Sequence, residues 1–134
     1  MQHALPAHPH PVRTVTRRLA WLAVGLAAAT LTVIQVSRLG SGAVAVALAL
    51  AIAPDLTMLI GAGRKLARGQ LAPAAVPFYN TAHRVWGPLS LLAAGAVWPG
   101  SAVLVAGGLA WLAHVGLDRG LGFGLRTPEG FQRG

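Results

Sequence analysis

Four stretches of mainly apolar residues, separated by short polar or glycine-containing segments, dominate the chain. A helix rises about 1.5 Å per residue, so about 20 apolar residues cross a hydrocarbon core of about 30 Å. The pattern therefore predicts an all-α protein, a bundle of four transmembrane helices. The predicted spans are residues 19–36, 43–62, 78–98 and 101–121.

The segments around these spans divide the chain into three parts. The first is a tail rich in histidine, proline and arginine, which we expect to be extended and disordered and whose histidines we rank as weak metal ligands. A membrane domain follows, and a short tail ends the chain. The three parts are residues 1–18, 19–126 and 127–134.

Composition agrees with a membrane protein. The 134 residues are 54% hydrophobic and 10% charged, whereas about a quarter of the residues of a soluble domain are charged. Eleven Lys and Arg stand against three acidic residues, and the basic residues lie beside the apolar stretches. We therefore expect the partners to be the lipid bilayer and anionic lipid head groups, and no nucleic acid. The chain has no cysteine, so any metal site must use histidine and carboxylate.

The distribution of Lys and Arg predicts the orientation. Three arginines precede the first span, three basic residues lie between the second and third spans, and three lie at or after the end of the fourth, whereas the two tight turns carry only Arg38. Because basic residues are concentrated on the cytoplasmic side, both termini should be cytoplasmic. The chain is thus predicted to be a multi-pass protein of the cell inner membrane.

Polar residues inside the predicted spans converge in depth. Asp55 lies near the end of span two, His83 near the start of span three, and His114 and Asp118 near the end of span four. His114 and Asp118 are spaced i, i+4 and share a helix face. A charge at mid-membrane costs about 2.5–3.5 kcal/mol on the insertion scale, so such residues face the bundle interior. The same layer contains Asn80, with Arg84 and Arg119 beside it.

One interpretation of this layer is a metal site with a catalytic role. Two imidazoles and two carboxylates suit zinc, manganese or iron, with Asp118 either a ligand or a group that orients His114. A bound metal would activate water, and the nearby arginines would suit phosphate. This favours a metal-dependent hydrolase that acts on a lipid-linked or phosphorylated small molecule, with Asp55, His83, His114 and Asp118 as its catalytic and metal residues.

Two other interpretations are open. Asp55 can pair with Arg84 or Arg119 in a structural ion-pair network of a non-enzymatic assembly or interaction protein. The layer can also serve as a proton relay in a small carrier, which would need to dimerise. In addition, Gly116, Gly120 and Gly124 form a small-residue ridge that permits close helix packing and predicts a homo-oligomer through this ridge.

Three segments carry a resemblance to a known family. "APDLTML" (53–59), "YNTAH" (79–83) and "WLAHVGLDRGLGFGLR" (111–126) resemble the small integral-membrane family catalogued as domain of unknown function 4260. Phe123 and Arg126 stand where the family pattern has tyrosine and lysine. The resemblance implies no activity. It makes the following residues matched motif positions: Asp55, Tyr79, Asn80, His83, His114, Asp118 and Arg119.

A more remote resemblance is to membrane-bound metal-dependent hydrolases. It rests on the Pro-Asp pair at 54–55, a following histidine and the late His-x-x-x-Asp pattern at 114–118. This resemblance implies metal chemistry at the same residues.

Overall fold

The computed structural model describes residues 11–133, with side chains from Thr14 onward. Over this range the chain is helical, apart from its loops and one isolated β-bridge between Arg126 and Gln132. The predicted all-α class is confirmed for these residues. The helices are α1 (Pro11–Leu39), α2 (Ser41–Leu56), α3 (Val76–Ala82), α4 (Trp86–Val97) and α5 (Ala102–Leu121), with 3₁₀ turns at Thr57–Leu59 and Pro73–Ala75.

Within residues 11–133, three helices are long and apolar enough to cross a membrane. They are Thr14–Leu39, Ser41–Leu59 with its 3₁₀ turn included, and Ala102–Leu121. The first helix begins at Pro11, before the predicted start of its span, and proline is well suited to the first position of a helix. The predicted N-terminal tail therefore becomes helical in its last part, while its histidines lie outside the described residues.

The third predicted span, 78–98, is not one helix. Two shorter helices, α3 and α4, replace it, and the helix is interrupted between Ala82 and Trp86. Pro88 explains the position of the break, because proline lacks an N–H and its ring collides with the carbonyl four residues earlier, here Arg84. The break falls at that carbonyl, and it leaves His83 at the end of α3.

Helix α5 is the centre of the bundle and contacts α1, α2 and α4. Its glycines permit close packing: a Cβ atom at Gly116 would lie 2.8 Å from Cα of Gly25, and one at Gly120 would lie 2.5 Å from Cγ of Leu22. Two members of the predicted ridge thus pack against α1 of the same chain. A homo-oligomer through the ridge stays a prediction.

The residues after α5 fold back onto the bundle as a C-terminal hook, residues 123–133. Gly122, with φ of +96°, ends α5 in the left-handed conformation that favours glycine. The hook then lies against the connection before α3, where the Leu71 N–H donates to Gly130 O at 2.9 Å. Part of this hook was predicted only as a tail, and its docking brings residues 123–133 against the C-terminal end of α5.

Candidate metal centre

The four predicted ligand residues meet at one point. Nε2 of His83 lies 3.4 Å from Oδ1 of Asp55 and 3.4 Å from Oδ2 of Asp118. Nε2 of His114 lies 3.5 Å and 3.6 Å from the same two oxygens. The two Nε2 atoms are 3.2 Å apart. The sequence layer is therefore a compact cluster, with all four donor atoms within 4.8 Å of one another.

Five of the six separations among these atoms match a tetrahedral coordination shell, and the sixth, between the two carboxylate oxygens, is within 4.8 Å. Ligand atoms at tetrahedral corners about 2.0–2.1 Å from a zinc ion lie about 3.3–3.4 Å from one another. The five separations given above run from 3.2 to 3.6 Å. Two imidazole nitrogens and two carboxylate oxygens are a donor set that zinc accepts. The residues present therefore fit a small divalent ion.

His83 is oriented as a metal-ligating histidine would be. Its Nδ1 lies 2.9 Å from the Tyr79 carbonyl oxygen, which can only accept, so Nδ1 carries the hydrogen. In the neutral ring Nε2 then presents a lone pair towards the carboxylates of Asp55 and Asp118 and towards His114. Lone pairs and carboxylates repel one another unless a cation lies among them. A histidine whose second nitrogen donates to a backbone carbonyl is the usual metal-ligand arrangement.

The local fold explains why these side chains converge. Asp55 lies in the last turn of α2, directly after Pro54, and His114 and Asp118 share one face of α5. His83 is only 4% exposed and comes directly after α3, where the chain breaks. Its backbone carbonyl, free at this break, accepts a hydrogen bond from Nη2 of Arg119 at 3.3 Å. The broken third span therefore places both the ring and the carbonyl of His83 against α5.

The predicted supporting residues have separate positions. Tyr79 is buried, and its ring stacks on His83 with centroids 3.8 Å apart. Asn80 is bound to the C-terminal hook: Nδ2 donates to Arg126 O at 2.9 Å, and the Arg126 N–H donates to Oδ1 at 2.7 Å. Arg119 lies over the Trp21 ring at 4.7 Å. Arg84 is exposed and lies outside the cluster.

The ion pairs of the described side chains differ from the predicted Asp55–arginine pair. In residues 14–133 both acids of the cluster pair with His83 and His114, and neither pairs with Arg84 or Arg119. Both arginines instead reach elsewhere, Arg119 to the His83 carbonyl and Arg84 to the outer surface. Within this part of the chain, the cluster is a histidine–carboxylate group.

Sequence reasoning did not identify Arg126 as a residue that supports the site. Its guanidinium lies 5.5 Å from the centre of the Tyr79 ring, and Nη1 donates to Gly69 O at 3.0 Å. Arg126, which lies in the hook, thus contacts both the loop before α3 and the Tyr79 ring that stacks on His83. The available signal was its position in the resemblance motif, where the family pattern also has a basic residue.

A comparison with known families matches the part of the chain that builds this site. The family described as Domain of unknown function (DUF4260) matches residues 19–134. The chain belongs to this family. No curated protein and no solved structure matches the chain. All four residues of the cluster, and the hook, lie inside the matched range of this DUF4260 protein.

The histidine–carboxylate cluster of the DUF4260 chain is accessible from one side. The histidine side chains are 5% and 12% exposed, whereas those of Asp118 and Asp55 are 23% and 48% exposed. A small cavity with room for about one water molecule adjoins the cluster. His83, Asp118 and Arg119 line it together with hook residues 123–125. The site thus combines buried nitrogen donors with an open carboxylate side and a water-sized space lined by both polar and apolar residues.

Proposed function

We propose that this protein is a membrane-embedded, metal-dependent hydrolase that acts on a lipid-linked or phosphorylated small molecule. The observation that supports this is the tetrahedral spacing of the donor atoms of Asp55, His83, His114 and Asp118. Zinc suits this set best, and manganese and iron accept the same ligands. The three apolar helices and the basic connections support placement in the inner membrane with both termini cytoplasmic.

The residues divide into those that hold the ion and one that handles a proton. A bound divalent metal supplies a water of lowered pKa. His83, His114 and Asp55 would hold the ion, and water would take the fourth position in place of Asp118 Oδ2, which lies near that corner in the structure. Asp118 lines the water-sized cavity, so we assign to it the role of proton acceptor. Arg119, on the wall of the same cavity, would stabilise the negative charge that develops on the ester during the reaction.

The reaction that these groups support is ordinary ester hydrolysis. The water oxygen forms a bond to phosphorus or to an acyl carbon, and the ester bond to the leaving oxygen breaks. Asp118 accepts the proton of the water and returns it to the leaving oxygen, so the enzyme is restored and no redox partner is needed. The buried histidines keep the geometry fixed while the substrate enters from the exposed side near Asp55.

The test separates the proton acceptor from the residues that hold the ion. Zinc-loaded full-length protein in detergent should hydrolyse a chromogenic phosphomonoester or phosphodiester. Asp118→Asn should lower kcat by about 10²-fold or more while keeping its metal, because a general base contributes about 10²–10⁴-fold. His114→Ala should lose both metal and turnover, and Glu129→Gln, an exposed acid in the hook, should change neither.

Two results would overturn the proposal. One is the absence of turnover in zinc-loaded wild-type protein with both ester classes. The other is an equal rate in wild-type protein and Asp118→Asn. The first result would favour the non-enzymatic interpretation, and the second would show that turnover does not depend on the proposed proton acceptor.

A further inference from the structure

An apolar groove runs along the outside of the bundle next to the metal centre. It has a volume of about 580 Å³, within the range of about 300–1,000 Å³ typical of ligand pockets. Its walls come from the end of α2, from both sides of the break between α3 and α4, and from α5. The apolar residues that define it best are Leu50, Pro54, Phe78, Trp86 and Trp111.

Trp111 forms the floor of this groove and is held in place by its neighbours. Its Nε1 donates to Ala82 O at 2.8 Å, so its polar atom is satisfied and the ring presents an apolar surface. Gly87 packs directly against the ring, and a Cβ atom there would collide with it. The Trp111 ring is therefore held in one position, and it packs against the chain where the helix is interrupted between α3 and α4.

The groove and the metal centre are built from the same three parts of the chain. Pro54 directly precedes Asp55, and Ala82 directly precedes His83. Trp111 lies three residues before His114 on α5, which is about 4.5 Å along the helix axis. A molecule lying in the groove would therefore place one part of itself within one helical turn of the cluster.

Arg84 is the one charged residue among those that line this groove. Arg84 is exposed there, and no carboxylate in residues 14–133 lies within 4.0 Å of its guanidinium. Arg84 lies inside the predicted third span, residues 78–98, and ionisable residues within membrane segments usually mark substrate or ion pathways. Guanidinium groups bind phosphate through paired hydrogen bonds. The groove thus combines a long apolar surface with one anion-binding group at the level of the helix break.

From this combination we infer that the groove binds the hydrocarbon chain of a phosphate-bearing lipid, whose phosphate is held by Arg84. The lipid chain lies along Phe78, Trp86 and Trp111, and its head group faces the metal centre. The inference names the substrate class of the proposed hydrolase and rests on that function for turnover. Binding itself needs only the groove.

The test measures binding without turnover. Full-length protein in a neutral maltoside detergent is stripped of metal with a chelator and titrated with hexadecyl phosphate brominated on its chain. Bromine quenches nearby tryptophans, so binding should quench the fluorescence of Trp86 and Trp111. Arg84→Gln should weaken binding roughly tenfold, because hydrogen bonds to charged groups contribute about 1.5–3 kcal/mol. Arg38→Gln, an exposed arginine at the end of α1, should not.

A second pair of variants tests the apolar part. Ala53→Phe places a ring in the groove and should block quenching, whereas Ala27→Phe, at an exposed position on α1, should leave it unchanged. The inference is overturned if hexadecyl phosphate does not quench, if hexadecyltrimethylammonium binds equally well, or if inorganic phosphate alone competes it away completely. Zinc binding in the same preparation is a separate readout, so loss of the groove and loss of the metal centre are distinguishable.

Discussion

Asn80 offers the sharpest test of how the C-terminal hook is attached to the metal centre. The side chain makes two hydrogen bonds to the backbone of Arg126, one donated from Nδ2 at 2.9 Å and one accepted by Oδ1 at 2.7 Å. Asn80 lies three residues before His83, on the helix that carries this ligand. Asn80→Ala removes both bonds and leaves the helix backbone intact, because alanine is the best helix former.

The size of the effect follows from these two bonds. A typical intramolecular hydrogen bond contributes about 0.5–1.5 kcal/mol to stability, so the loss of two costs about 1–3 kcal/mol. Such a change multiplies the population of the detached hook by roughly 5- to 150-fold. Other bonds remain in place, among them that from the Leu71 N–H to Gly130 O at 2.9 Å. The hook should therefore open more often while the helices stay folded.

Hydrogen exchange measured by mass spectrometry reads this opening directly. Peptides covering residues 123–133 should exchange faster in Asn80→Ala by the same factor, with α5 unchanged. The matched control is Thr81→Ala, which removes only a local bond from the Thr81 hydroxyl to Pro77 O on the exposed side of α3. Equal exchange of the hook in wild-type protein and Asn80→Ala would refute the attachment, and faster exchange throughout α5 would refute the claim that it is local.

Two further predictions concern packing and metal. Gly116→Leu should destabilise the bundle by at least about 1–3 kcal/mol in thermal unfolding, because its Cβ would lie 2.8 Å from Cα of Gly25 and larger side chains overpack a tight contact. Gly124→Ala, whose Cβ would have 3.8 Å of clearance, should change the Tm little, and equal Tm losses would contradict this account. Chelation should lower the Tm, and zinc at 100 times its Kd should restore about 2.7 kcal/mol. An unchanged Tm after chelation and zinc addition would count against a metal that stabilises the fold.

The convergence of the four ligand residues could be predicted from the sequence because two simple rules act on them. Apolar length sets the depth of each residue, and the cost of burying charge in lipid turns polar side chains inwards. Asp55, His83 and the pair on α5 have matching depths under these rules. The i, i+4 spacing then places His114 and Asp118 on one face, as the structure has them.

The broken third span could not be predicted from hydrophobicity alone. The mainly apolar stretch continues through residues 78–98. Hydropathy measures the polarity of side chains, so it does not show where a helix loses a backbone hydrogen bond. Pro88 was the one sequence feature that indicates a break. Helix α2 nevertheless contains Pro54, so the presence of a proline does not by itself predict an interrupted helix. The break is also stabilised by a tertiary contact, because the His83 carbonyl accepts a hydrogen bond from Arg119.

The hook and the orientation of His83 were also beyond the sequence pattern. The hook depends on contacts between residues about 60 positions apart, such as Leu71 with Gly130, which no local periodicity encodes. The hydrogen on Nδ1 of His83 depends on the carbonyl of Tyr79, which accepts hydrogen bonds from both the backbone N–H and the ring of His83. Each is a consequence of backbone geometry, and only the structure supplies it.

Metal content tests the central claim most directly. Inductively coupled plasma mass spectrometry on purified full-length protein should find one zinc, manganese or iron ion per chain after metal loading and desalting. His114→Ala and Asp55→Ala should reduce it to near zero while circular dichroism shows that their helices are retained, and Glu129→Gln should keep the full content. A stoichiometry near zero in wild-type protein, or one unchanged in both ligand variants, would contradict a metal centre formed by these residues.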